Sequence, residues 1–191
     1  MINTIGFAVT GSFCTHEKIL TEIQKLKDKG YDILPIVSEN VACTNTRFGT
    51  SAEFISRLEQ ITGHPVIDSK VKAEVVGPKN MIDVLVVAPC TGNTLAKLAN
   101  AITDTTVTMV AKSHVRNNKP VVVGVSTNDA LGTNMCNLAK LLATKNYYFV
   151  PFGQDSPDKK PKSLIADFSK IEETVLLAME GKQIQPILIG G

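Results

Sequence analysis

Apolar residues along this chain fall into two alternating patterns: short unbroken runs, and stretches with a helical repeat. Residues 4–10 (TIGFAVT) are β-rich, and beyond a Gly-Ser-Phe-Cys break Ile19, Leu20, Ile23 and Leu26 recur at helical spacing up to Gly30. This predicts a strand, a loop and a helix. Residues 31–37 (YDILPIV) predict a second strand, with Pro35 marking an edge or irregular position because it has no N–H to give to a ladder. Residues 38–49 (SENVACTNTRFG) show no period and are long for a connector, which makes them a candidate ligand wall or subunit contact. Thr50 and Glu53 then form a capping-box signature for a helix carrying Ile55, Leu58 and Ile61.

Residues 84–88 and 121–125 are near-continuous apolar runs, as expected of parallel strands covered on both faces, with helices between them. After Val125 the plan repeats: polar STND, Gly132, a helix through Leu138, Leu141 and Leu142, a short strand over 147–150 and a last helix over 164–179. Strands alternating with helices predict an open parallel sheet with ligands outside the carboxyl ends of its strands. Three polar turns converge there: Gly11-Ser12-Phe13, residues 89–94, and Ser126-Thr127-Asn128, with Ser38 as a fourth contributor. The DKKPK run at 158–162 reads as a solvated loop.

Residues 85–100 (LVVAPCTGNTLAKLAN) carry the most chemistry, since a buried strand runs through a polar turn straight into a helix. The first turn of a helix leaves N–H groups unpaired at the positive end of its dipole, and Gly92 lets the backbone approach a ligand closely. Thr91, Asn93 and Thr94 add short polar side chains, so the turn reads as a phosphate or polar-ligand cradle; the same residues also suit a plain N-cap and turn. Gly6 and Gly11-Ser12 are spaced as in a P-loop, but Ser12 stands where the phosphate-reaching Lys is needed, which disfavours a nucleoside triphosphatase. No G-x-G-x-x-G follows a strand, so a mononucleotide fits better than a dinucleotide.

Composition narrows the field. A length of 191 residues suits one α/β domain, with 43% hydrophobic and 20% charged residues. No apolar run approaches the roughly 20 residues that span a bilayer, and the start MINTIGFAVTGSF lacks a signal-peptide pattern, so a cytoplasmic protein is expected. A net charge of +2 and basic clusters without interleaved aromatics argue against nucleic acid. Cys14, Cys43, Cys90 and Cys136 contain no C-x-x-C pair, and His16, His64 and His114 have no companions at ligand spacing; neither a metal site nor a redox dithiol is encoded. His114 reads as helical surface. Cys14 and Cys90 sit at helix starts, where a thiol pKa can be lowered, or else act as small buried filler.

The segments TGSFCTHEK (10–18) and VVAPCTGNTLAKLANAITDTTVT (86–108) resemble the two signatures of the homo-oligomeric flavin-containing cysteine decarboxylase family. Of that family's central Pro-Ala-Ser-Ala-Asn-Thr motif, Pro89, Asn93 and Thr94 match, while Cys90, Thr91 and Gly92 depart. The resemblance implies a three-layer, flavodoxin-like or Rossmann-like sheet with helices on both faces, and a homo-oligomer. CTNTRFG (43–49), STNDALG (126–132), TKNYYFVPFGQD (144–155) and KQIQPIL (182–188) further resemble the branch formed by the B subunits of bacterial dipicolinate synthases, over nearly the whole chain.

That branch implies a subunit acting with a dehydrogenase-like A subunit, on which NAD(P) is expected, to oxidise dihydrodipicolinate to dipicolinate in the mother cell of a sporulating bacterium. Carried over by motif, Gly11, Ser12 and Phe13 would line the phosphate and ribityl side of FMN, Ser38 would contact the phosphate, and Cys90, Thr91, Gly92, Asn93 and Thr94 would complete the cradle. Two departures count against decarboxylation. Residues 72–80 (KAEVVGPKN) hold no His where the family's catalytic one stands, and of Pro-x-Met-Asn-x-x-Met-Trp only Asn128 matches. No acid–base residue is assigned. Asn128 then either holds a carboxylate or organises its own turn. A diacid calls for a fixed cation, for which Arg47 is the first candidate; Arg116 and Lys112 face the site, solvent or a neighbouring subunit. The competing readings are a non-catalytic assembly subunit that completes the A subunit's pocket, and a stand-alone FMN-dependent decarboxylase or prenyltransferase.

Overall fold

The computed structural model describes residues 4–190. The first three residues, part of the signal-peptide reading, lie outside the described residues. Parallel strands β1 (Thr4–Val9), β2 (Asp32–Val37), β3 (Val84–Cys90), β4 (Val121–Thr127) and β5 (Tyr147–Phe149) stand in the order β2-β1-β3-β4-β5. β3 is buried along its whole length, as its unbroken apolar run requires. β2 is an outer strand, as Pro35 predicts; the free edge is partly met by Ile67, whose N–H donates to the Pro35 carbonyl at 2.9 Å.

The helices form two groups on the sheet. α1 (His16–Asp28), α3 (Ser51–Thr62) and α8 (Ile171–Met179) belong to one, and α4 (Lys70–Ala73), α5 (Gly92–Ala99), α6 (Thr106–Arg116) and α7 (Met135–Leu142) to the other. The capping box is present: Thr50 Oγ1 accepts from Glu53 N–H at 3.2 Å and Glu53 Oε2 accepts from Thr50 N–H at 3.0 Å. Gly63 closes α3 in the left-handed region at φ 75°. No helix among the described residues is long and apolar enough to cross a membrane.

Three expectations are corrected. The 38–49 segment is not irregular throughout: α2 (Glu39–Cys43) starts at Ser38, and Thr46 bridges to Gly49. The helix predicted over 164–179 begins only at Ile171, because residues 164–166 pair with the end of β4, which leaves Leu164 and Ala166 buried and Ile165 between them more open. They form β7 (Leu164–Ala166), held as a strand by pairing with its neighbours. Together with β6 (Phe152–Gly153), β7 forms an antiparallel pair, and β7 also runs antiparallel to the end of β4, with Ser126 opposite Ile165 and Thr127 opposite Leu164. The sheet is therefore mixed, a parallel core with an antiparallel hairpin added at one corner.

Candidate functional site

Strand order reverses between β1 and β3, which opens a crevice at their carboxyl ends. Hydrogen bonds lock the turns around it. Thr10 Oγ1 donates to the Pro89 carbonyl at 2.6 Å and accepts from Thr91 N–H at 3.1 Å, joining the β1 and β3 ends. The Ser12 and Ser126 hydroxyls pair at 2.8 Å and join the β1 and β4 ends. Thr91 caps α5, its Oγ1 accepting from Thr94 N–H at 3.3 Å. The N–H groups of Gly92 and Asn93, ahead of that capped amide, have no hydrogen-bond partner among the described residues.

A cavity of about 590 Å³ sits on this rim, and Gly11, Ser12, Thr91, Gly92, Asn93 and Asn128 all line it. Six of the expected residues thus meet. Phe13 instead faces an adjoining cavity of about 690 Å³ between α1 and α3, and Cys14 lines both. Thr94 is buried and occupied by Thr91. Arg47 is exposed and lies over the Phe48 ring, 4.9 Å from its centroid, lining neither cavity. Lys112 lines a separate groove beside Tyr147, and Arg116 is exposed at the end of α6.

Ser38 caps α2 next to the β1 turn, with its N–H on the Val9 carbonyl at 3.0 Å, and its Oγ is buried without a partner. Leaving a hydroxyl so costs about 1–3 kcal/mol, a cost that a bound acceptor removes. Gly11 adjoins α2, an added Cβ coming 3.9 Å from Asn40 Cβ. The paired Ser12 and Ser126 hydroxyls and two unpaired amides suit a phosphate with a polar tail, so these residues fit the FMN end that the resemblance implies; Ser38 lines neither cavity, its orphaned hydroxyl lying behind the β1 turn.

Gly92 has a different cause from the one its motif suggests. A Cβ there would stand 2.7 Å from each of Asn134 Nδ2, Asp129 Oδ1 and Thr127 Oγ1. The protein's own side chains demand the glycine. Asp129 is held by Thr127 Oγ1 at 2.6 Å and Asn134 Nδ2 at 2.7 Å. Other readings also change. Cys90 is fully buried at the strand end, and burial pushes its thiol far up, which removes the thiolate role. Cys14 is exposed and so is not buried filler. His114 is buried, not on the surface, and its pKa falls to about 4 through burial and the Lys119 charge. His16 is buried between Phe13 and Phe54, donates Nε2–H to the Thr10 carbonyl at 2.9 Å, and is held neutral mainly by burial.

Sequence reasoning missed Glu39, whose Oε1 accepts from Thr106 N–H and Oγ1, both at 2.8 Å, to cap α6, while Oε2 is buried without a partner. It also missed the 158–162 run: Lys160 lines the rim cavity, together with Asp155 and Ser163. The hairpin that carries them there has no local signature, since its register is set by β4.

The family model described as Flavoprotein matches residues 2–175. The chain is 51% identical to the dipicolinate synthase B subunit of Bacillus subtilis (strain 168) over 97% of this chain and 92% of that one. The crystal structure of the dipicolinate synthase B subunit from Bacillus halodurans is similar at 50% identity with a TM-score of 0.90, covering 98% of this chain and 96% of that chain. The FMN-dependent cysteine decarboxylase SpaF shares the fold at 21% identity and a TM-score of 0.67, over 92% and 97% of the two chains.

Proposed function

The chain belongs to the flavoprotein family, in the branch of the dipicolinate synthase B subunits, and from that premise we propose that its rim cavity holds FMN for the oxidation of dihydrodipicolinate to dipicolinate. The observation that carries this is the meeting on one cavity of Ser12, Ser126 and the unpaired Gly92 and Asn93 amides, with the buried, unpartnered Ser38 hydroxyl behind the β1 turn and outside the cavity lining. Ser38 and Ser12 would hold the phosphate, the Gly92 and Asn93 amides would bind polar oxygens of the cofactor, and Asn128 would orient the substrate.

When bound, FMN supplies a two-electron acceptor for the hydride that the dihydropyridine ring loses on becoming aromatic. The chain's own contribution is orientation. Thr10 and the Ser12–Ser126 pair hold three strand ends in one geometry, so that little rearrangement is needed on binding. A dehydrogenase-like A subunit is the partner in this reading, carries the nicotinamide cofactor NAD(P), and works with the chain in the cytoplasm of a sporulating cell; the chain itself assembles as a homo-oligomer.

A second reading, assembly without redox chemistry in this chain, is favoured by one observation: no histidine lines the rim cavity among the described residues, His16 being spent on the Thr10 carbonyl. One titration separates the two. The whole chain is titrated with FMN, then mixed with the A subunit and dihydrodipicolinate while flavin absorbance is followed. Stoichiometric binding and bleaching by substrate support the first reading. An activated A subunit with unbleached or unbound flavin would replace it with the second.

A further inference from the structure

Residues 154–163 join β6 to β7, and the pairing of β7 with the end of β4 swings this connection over the rim cavity. Residues 158–162 are exposed, as a solvated loop is, but the backbone of the connection is tied. Lys160 N–H donates to the Ser156 carbonyl at 2.7 Å, Ser163 N–H to the Lys160 carbonyl at 3.0 Å, and Leu131 N–H to the Lys162 carbonyl at 2.9 Å. Gln154 Nε2 donates to the Pro161 carbonyl at 2.9 Å.

Lys160 is the one Lys or Arg among the described residues that lines the cavity. Its partner is Asp155, with Nζ 3.3 Å from Oδ2 and the lysine side chain 57% exposed. Such a long, open pair is weak and readily exchanged. Burial is the largest influence on Asp155 and raises its pKa, while Ser163 and Lys160 lower it, and the net shift is downward. Asp129, the other carboxylate on the cavity, is already satisfied by Thr127 and Asn134.

We infer that Lys160 selects a substrate with two carboxylates, its ammonium leaving Asp155 for one carboxylate of a flat ring diacid while polar groups of the β4 turn take the other end. Asp155 is the placeholder that keeps the ammonium over the cavity until the ligand arrives. The inference rests on the rim cavity being the flavin and diacid site.

The test is calorimetry on the whole FMN-loaded chain with pyridine-2,6-dicarboxylate and pyridine-2-carboxylate as probes. In K160M the diacid should bind about tenfold more weakly, the scale of one lost charge-assisted bond, and its advantage over the monoacid should vanish. FMN affinity should stay within about twofold, K160R should restore the diacid preference, and D155N should tighten the diacid by about two- to fivefold. Undiminished diacid affinity in K160M, no diacid binding by the FMN-loaded wild-type chain, or a parallel fall in FMN affinity would overturn the assignment. Failure of the wild-type chain to take up FMN would instead remove the site reading beneath it.

Discussion

Replacing Gly92 by alanine adds a single methyl group at the most crowded point of the rim. That Cβ would stand 2.7 Å from Asn134 Nδ2, Asp129 Oδ1 and Thr127 Oγ1, against about 3.5–4.0 Å for unstrained non-bonded contact. All three atoms belong to one network, since Thr127 and Asn134 both donate to Asp129, so none moves alone. Overpacking costs about 1–3 kcal/mol, and spoiling one hydrogen bond to a charged group about 1.5–3 kcal/mol. Alanine's better helix propensity returns at most about 1 kcal/mol. A net loss of about 1.5–5 kcal/mol is expected, which for a chain of 191 residues lowers Tm by about 3–20 °C. Calorimetric melting of the pure chain measures it. FMN affinity should fall in step, because Gly92 and Asp129 both line the cavity. Adding D129A to G92A makes room for the methyl, so the double variant should be less unstable than the sum of the two by about 1 kcal/mol or more. A G92A chain melting within about 1 °C of wild type, or strictly additive variants, would refute the account of why a glycine stands there.

Three other outcomes follow from single groups. Ser38→Ala removes a buried hydroxyl that has no partner, so the flavin-free chain should be unchanged or more stable in denaturant titration, by up to about 1 kcal/mol. The same variant should bind FMN about tenfold more weakly, and equal affinity would take Ser38 out of the phosphate site. His114, depressed from 6.5 to about 4, is neutral in the fold while the unfolded chain takes up a proton below 6.5. Stability should therefore fall by about 3 kcal/mol as pH drops from 6.5 towards 4 and then level off, and H114L should flatten that portion of a pH series of urea midpoints. Cys14, Cys43 and Cys136 are exposed and Cys90 is buried with a raised pKa; iodoacetamide at mildly alkaline pH should label three thiols in the native chain and a fourth only in denaturant, as read by mass spectrometry. Four labels on the native chain would contradict the burial of β3's end.

Much of this molecule was legible along the chain, because the signals there are local. Unbroken apolar runs reveal strands buried on both faces, and Thr50 with Glu53 states where α3 begins through bonds between residues three apart. The polar turns ending β1, β3 and β4 could be placed on one rim from the alternation of strands and helices alone. What the sequence by itself determined is thus the parallel core, the polar turns on its rim and the branch of flavoproteins to which the chain belongs.

Tertiary structure decided everything that depends on who stands beside whom. Residues 164–166 carry too few positions to separate strand from helix, and only the β4 edge, which offers unpaired backbone groups, makes them a strand. That choice in turn brings Lys160, in an exposed run, to the edge of the cavity, while Arg47, in a loop that reads as a ligand wall, stacks on Phe48 outside it. The same holds for Gly92, whose motif suggests room for a ligand but whose missing side chain makes room for Asp129, and for His114, whose helix turns it inward. A side chain's type and spacing declare what chemistry it can do. Its neighbours across the fold set its charge, its partners and the surface it faces, because burial and hydrogen bonding are properties of places that distant segments build together.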